Sequence, residues 1–129
     1  MTAKPIPESV RRFVATSIPS VPFLEALLVI RAAAGEPVPV LAVAERLYIS
    51  ERSAGDLVRA LHEAHFVRPV DAGGMGYRFD PADEGLSRLV EDIAHHYQDN
   101  LIGMTELIHS KTARSAVQFA DAFKFRKEP

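Results

Sequence analysis

Three groups of side chains in this 129-residue chain are spaced so that they could do chemistry. The first is histidine: His62 and His65 stand three apart with Glu63 between them, and His95 and His96 are adjacent. Imidazoles three or four apart on a helix can share a metal ion, whereas adjacent ones point to different sides. Neither group has a further ligand close by in sequence, and the chain has no cysteine to supply a thiolate, so no metal site is expected. His109, at the end of a helical pattern, suits the negative end of a helix dipole. The second group, Gly73-Gly74-Met75-Gly76, lacks the lysine and Ser/Thr of a phosphate loop and follows no strand-to-helix step, so it reads as a turn. With no spaced nucleophile, base and acid, the sequence predicts no catalytic residue, no cofactor and a binding protein rather than an enzyme.

The third group is arginine. Arg52 and Arg59, with Ser53, lie in one amphipathic stretch, and Arg68 and Arg78 flank the glycine turn. A guanidinium fork matches both phosphate oxygens and the edge of guanine. These five residues are the candidate DNA contacts. Glu51 and Asp56 share the face of Arg52 and Arg59, however, and between Leu41 and Asp80 five arginines meet six acids, a net of −1. Counterion release from phosphates normally supplies much of DNA affinity, so a near-neutral face must find cations elsewhere. The same residues also fit a solvated, salt-bridged helix face worth little energetically.

The elements that must position these groups follow from spacing. Val10, Phe13 and Val14 within residues 8–17 predict a short amphipathic helix ended by Pro19. Ser20 offers an N-cap and Pro22 fits a first turn, opening a helix of apolar residues that runs to a stop at Gly35 and should be central. Glu36-Pro37-Val38-Pro39-Val40 reads as a linker or short edge strand. Leu41, Ala44 and Leu47 then predict a helical face, with a break near Tyr48. Ser50 caps a helix from Glu51 to about Ala64 that buries Ala54, Leu57, Val58 and Leu61. From Phe66 to Phe79 two short extended runs around the glycines predict a hairpin, with Pro69 restricting its strand to an edge. Asp80-Pro81 with Asp83 and Glu84 predicts a new helix start, and the apolar stripe Leu86 to Ile108 predicts one long helix.

The stretches Leu41–Ser50 and Glu51–Leu61, followed by the hairpin through Phe79, resemble the winged helix-turn-helix of bacterial transcription regulators over roughly residues 20–80. The resemblance implies a fold that is mainly α with a small β-hairpin, in which the helix from Glu51 enters the major groove of DNA. The chain departs from the pattern at His65, where such families usually carry glycine, so the exit from that helix is expected to be built differently. The closing segment Arg114–Lys127 is similar to the tails of small bacterial winged-helix proteins without an established role.

The expected organisation is a winged helix-turn-helix domain over 1–80 and a helical extension for dimerisation or partner binding over 81–129. Residues 81–109 as one helix would make a rod of roughly 43 Å, longer than a small domain is wide. The stretch carries six acids against Arg88, whereas 110–129 carries five cations against two acids. Opposite signs favour the tail lying along the rod, within one chain or across a dimer. A second copy would cover the stripe, with Leu89, Ile93, Tyr97, Leu101, Met104 and Ile108 in the interface and Phe119 and Phe123 at its edges. At 47% apolar and 25% charged residues the chain has a globular balance. No apolar run is long enough for a membrane span, and none at the N-terminus resembles a signal peptide, so the expectation is a cytoplasmic protein without a membrane partner. Two readings stand: a homodimeric winged-helix regulator that binds double-stranded DNA, and a winged-helix adaptor that recognises another protein.

Overall fold

In a computed structural model, residues 5–70 and 76–110 are described. They form a mainly helical chain with one small antiparallel hairpin, in the order α1 (Glu8–Ser17), α2 (Val21–Ala32), α3 (Val40–Leu47), α4 (Glu51–Glu63), β1 (Val67–Val70), β2 (Gly76–Phe79) and α5 (Glu84–Asp99). A further helix, α6, occupies residues 101–110.

α2 lies at the centre. The Ser20 hydroxyl accepts from the Phe23 amide at 3.2 Å and Pro22 sits in the first turn, so the helix starts where capping chemistry predicts. Its Phe23, Leu24, Ala26, Leu27 and Ile30 are buried, and so are Val10 and Val14 of α1, Ala54, Val58 and Leu61 of α4, and Phe66. Phe66 meets Phe13 and Phe23 edge to face, with ring centroids 6.1 and 6.0 Å apart. Leu57 is only partly buried, at the margin of this core.

α3 faces the core differently from the expected Leu41-Ala44-Leu47 stripe. Val43 and Ala44 are buried, with Val40 and Leu47 packed beside them, whereas Leu41 is 53% exposed. The alternative stripe 40-43-44-47 has the same helical period and starts at the first residue of the helix, which leaves Leu41 on the outside. Tyr48 ends α3 in the left-handed conformation (φ 58°), and Ser50 caps α4 by accepting from the Ser53 amide at 3.0 Å.

His65 links α4 to the hairpin with φ 67°. The histidine thus itself adopts the left-handed backbone that glycine takes more cheaply. β1 and β2 pair with Val67 opposite Phe79, Arg68 opposite Arg78 and Pro69 opposite Tyr77. Directly opposed residues share a face, so Tyr77 and Phe79 lie on one side and Arg78 on the other. The glycine turn lies outside the described residues. Val38 adds a third rung, exchanging amide hydrogen bonds of 2.7 and 2.8 Å with Tyr77, so the proline-flanked segment joins the sheet edge.

The C-terminal half differs from the expected rod. α5 begins at Glu84, because the Asp83 carboxylate accepts from the Leu86 amide at 2.8 Å. Asn100 leaves the helical region (φ −143°, ψ 63°), and its side-chain oxygen accepts from the Gly103 amide at 3.0 Å, which starts α6. The rod is therefore interrupted at Asn100. A methyl group at Gly103 would lie 2.5 Å from the capping Asn100 amide nitrogen. With the helix broken, Ile93 of α5 and Met104 and Ile108 of α6 are all buried in the same cluster as α1 and α2. That corrects the expectation that a second copy covers Ile93, Met104 and Ile108. Ile93, Met104 and Ile108 already have intramolecular partners.

Candidate nucleic-acid interface and partner surface

The cap at Ser50 starts α4 at Glu51. Ala54, Val58 and Leu61 hold one face inward, which leaves Glu51, Arg52, Ser53, Asp56 and Arg59 exposed on the other. Arg59 is engaged by Asp56 one turn back, at 3.4 Å, and the Ser53 hydroxyl is 2.9 Å from that of Ser50. Arg52 makes no ion pair among the described residues.

On the hairpin, the register sets Arg68 directly opposite Arg78. Like charges opposed across an antiparallel pair repel. Asp80 at 3.1 Å from Arg68 relieves part of this, but the pair is half-exposed and weak in water. Arg78 makes no ion pair among the described residues. The candidate DNA residues thus form two groups, Arg52, Ser53 and Arg59 on α4 and Arg68 with Arg78 on the hairpin. One arginine in each carries an intramolecular carboxylate.

The structure adds two residues that sequence reasoning missed. Leu41, assigned to the core, is exposed, and Tyr48 is 94% exposed. Leu41 borders a hollow of about 490 Å³ between the starts of α3 and α4, with Pro39, Gly55, Arg52 and Arg59 around it. Tyr48 carried one signal, the break in helical spacing. For Leu41, only the choice between two equally periodic stripes could have placed it.

Of the expected partner-facing residues, Leu89 and Tyr97 are half-buried and Leu101 is 53% exposed. Phe119 and Phe123 lie outside the described residues. Ile102, which the stripe did not include, is 73% exposed beside Leu101. Arg31 of α2 and Glu91 of α5 form an ion pair across the adjoining surface. Burial pushes the Tyr97 phenol above its ordinary pKa, and the Glu25 carboxylate beside it, which accepts a hydrogen bond from it, pushes in the same direction.

The histidines do not converge. His62 and His65 are exposed, His95 meets Asp99 at 3.2 Å, and His96 Nδ1 is enclosed without a hydrogen-bond partner among the described residues. Among those residues no three histidine, cysteine or acidic side chains are grouped to hold a metal ion. Nor is any single described helix long and apolar enough to cross a membrane.

No family model matches the chain, and no curated protein or solved structure matches it either.

Proposed function

We propose that this chain is a winged-helix protein that binds double-stranded DNA, with α4 in the major groove and the β1–β2 hairpin as a wing on the phosphate backbone. The observation that carries the reading is the register of the hairpin. Two arginines directly opposed on one face raise the energy of the free protein, and an anionic backbone is the partner that lowers it. Arg52, exposed and without an ion pair among the described residues, is the residue placed to read a base edge. Arg59 can join it by exchanging Asp56 for phosphate. In this reading the protein is a cytoplasmic regulator of bacterial type and acts as a homodimer. The dimer contact is the exposed shoulder of Leu101 and Ile102 at the start of α6.

Selection of bound sequences from a pool of random duplexes tests the DNA reading. Wild type should enrich a motif, Arg52→Ala should relax one position of it, and Arg78→Ala should reduce recovery without changing the motif. No enrichment, and no retention of any duplex at low salt, would overturn it.

A second reading, a winged-helix adaptor for another protein, is favoured by Leu41 and Tyr48. Large apolar and aromatic side chains left in water beside a mixed-charge helix suit a protein partner better than a phosphate backbone. In that case Leu41→Ala and Tyr48→Ala, rather than the arginine substitutions, would abolish partner capture.

A further inference from the structure

One hollow on the surface brings apolar side chains and cations together. About 490 Å³ in volume, it is lined by Pro39, Val40 and Leu41 where α3 begins and by Glu51, Arg52, Gly55 and Arg59 of α4. Leu41 is 53% exposed, and Arg52 is exposed without an ion pair among the described residues.

Gly55 adds a separate observation. It stands inside α4, where glycine costs helix stability relative to alanine. A methyl group built there would meet, among the described residues, Arg59 Nη2 at 3.8 Å and Val40 Cγ1 at 4.0 Å, both ordinary van der Waals distances. The fold itself therefore does not require glycine at this position. What glycine provides is access, because it leaves the backbone of α4 open to the hollow and lets a flat partner approach closely.

We propose that the hollow receives the major-groove edge of a thymine beside a guanine in double-stranded DNA. The proposal rests on the reading of α4 as the helix in the major groove. Three features of the lining select this occupant. The thymine 5-methyl is the apolar group that base edges present in the major groove, and Val40 and Leu41 offer it an apolar contact. The neighbouring guanine presents two acceptors, N7 and O6, which match the fork of Arg52. Glu51 repels a phosphate but can accept from the amino group of cytosine, the base paired with that guanine. A lining that holds an acid, cations and apolar groups together thus suits base-pair edges, with their donors, acceptors and methyl groups, better than a phosphate backbone. Arg59, engaged by Asp56 at 3.4 Å, is left for a flanking phosphate.

The experiment uses the full chain and a library of random-sequence duplexes. Wild type should enrich a motif that contains a thymine beside a guanine. The enriched duplex is then made with deoxyuridine in place of that one thymidine, which removes the 5-methyl group and leaves base pairing unchanged. Wild-type affinity should fall about fourfold on the exchange, the equivalent of one buried methyl group. Leu41→Ala should bind the two duplexes equally, and Gly55→Ala should bind both more weakly than wild type while melting no lower. A motif without a thymine beside a guanine, wild-type binding indifferent to the exchange, or unchanged affinity in Gly55→Ala would overturn the inference and leave the DNA reading standing. Retention of no duplex at low salt would overturn both and leave the hollow to a protein partner.

Discussion

Of the three described non-glycine residues with a left-handed backbone, which costs about 1–2 kcal/mol, Ala34 lies in the turn after α2, and His65 and Tyr48 call for different explanations. His65 has φ 67° and joins α4 to β1, where its amide and carbonyl are both used, to His62 and from Ala82, at 3.0 Å each. Its geometry is demanded by the fold. His65→Gly should therefore stabilise the protein by about 1 kcal/mol in urea unfolding, and a loss of stability would show that the imidazole makes a contact worth more than the backbone strain. Tyr48 has the same backbone but is 94% exposed, so strain is borne by a side chain that packs on little. Glycine or asparagine would end α3 more cheaply. Tyr97 offers a separate test at this scale. Its pKa is raised in the fold by burial first and Glu25 second, so the neutral phenol is favoured. The stabilisation is full below the unfolded value of about 10 and is lost as pH rises through the higher folded value. Ultraviolet titration should find one tyrosine ionising late, and Glu25→Gln should move it back only part of the way, because the burial contribution remains. An unchanged late transition in Glu25→Gln would place the whole shift in burial.

The elements show where sequence reasoning reached and where it stopped. α1 begins and ends where Val10, Val14 and Pro19 put it, and the caps at Ser20 and Ser50 act as read, because capping is local chemistry between a hydroxyl and an amide three residues on. The hairpin was legible from the change of period around the glycines. The face of α3 was not, since 41-44-47 and 40-43-44-47 are equally helical and only the position of α2 chooses between them. The break at Asn100 was also missed, because asparagine is tolerated within helices and acts as a cap only when the backbone around it turns. For the candidate site, sequence located the arginines and could not show that Arg68 faces Arg78, which is a matter of register across the unpredictable turn. The Asn100 cap yields a prediction of its own. Asn100→Ala should cost about 1 kcal/mol in thermal or urea unfolding. Gly103→Ala should destabilise as well, although alanine is the better helix former, because its methyl group would collide with the capping amide. A stabilised Gly103→Ala would show that the cap is not what keeps glycine there.

At the scale of the whole molecule, one core joins the two stretches that the sequence divides at residue 80, since Val90, Ile93, Met104 and Ile108 are buried in the same cluster as the helices before the hairpin. Leu61, at the centre of that core, should cost on the order of 2–5 kcal/mol when cut to alanine. What is left for a second copy is smaller than a continuous stripe. Leu101 and Ile102 are exposed at 53 and 73%, so Leu101→Glu or Ile102→Glu should shift sedimentation from dimer to monomer without unfolding the chain, and a wild-type monomer at micromolar concentration would refute the dimer. The central claim, that the opposed wing arginines exist to meet phosphate, is tested most directly by the salt dependence of affinity for mixed-sequence duplexes. Fluorescence anisotropy of wild type and of the Arg68→Ala, Arg78→Ala double variant, at salt concentrations from about 50 to 200 mM, reads it out. The account predicts binding by wild type that weakens steeply with salt, and weaker binding by the variant with a log–log slope flatter by about two. A wild type that binds no duplex at the lowest salt, or a variant with unchanged affinity and slope, would contradict it.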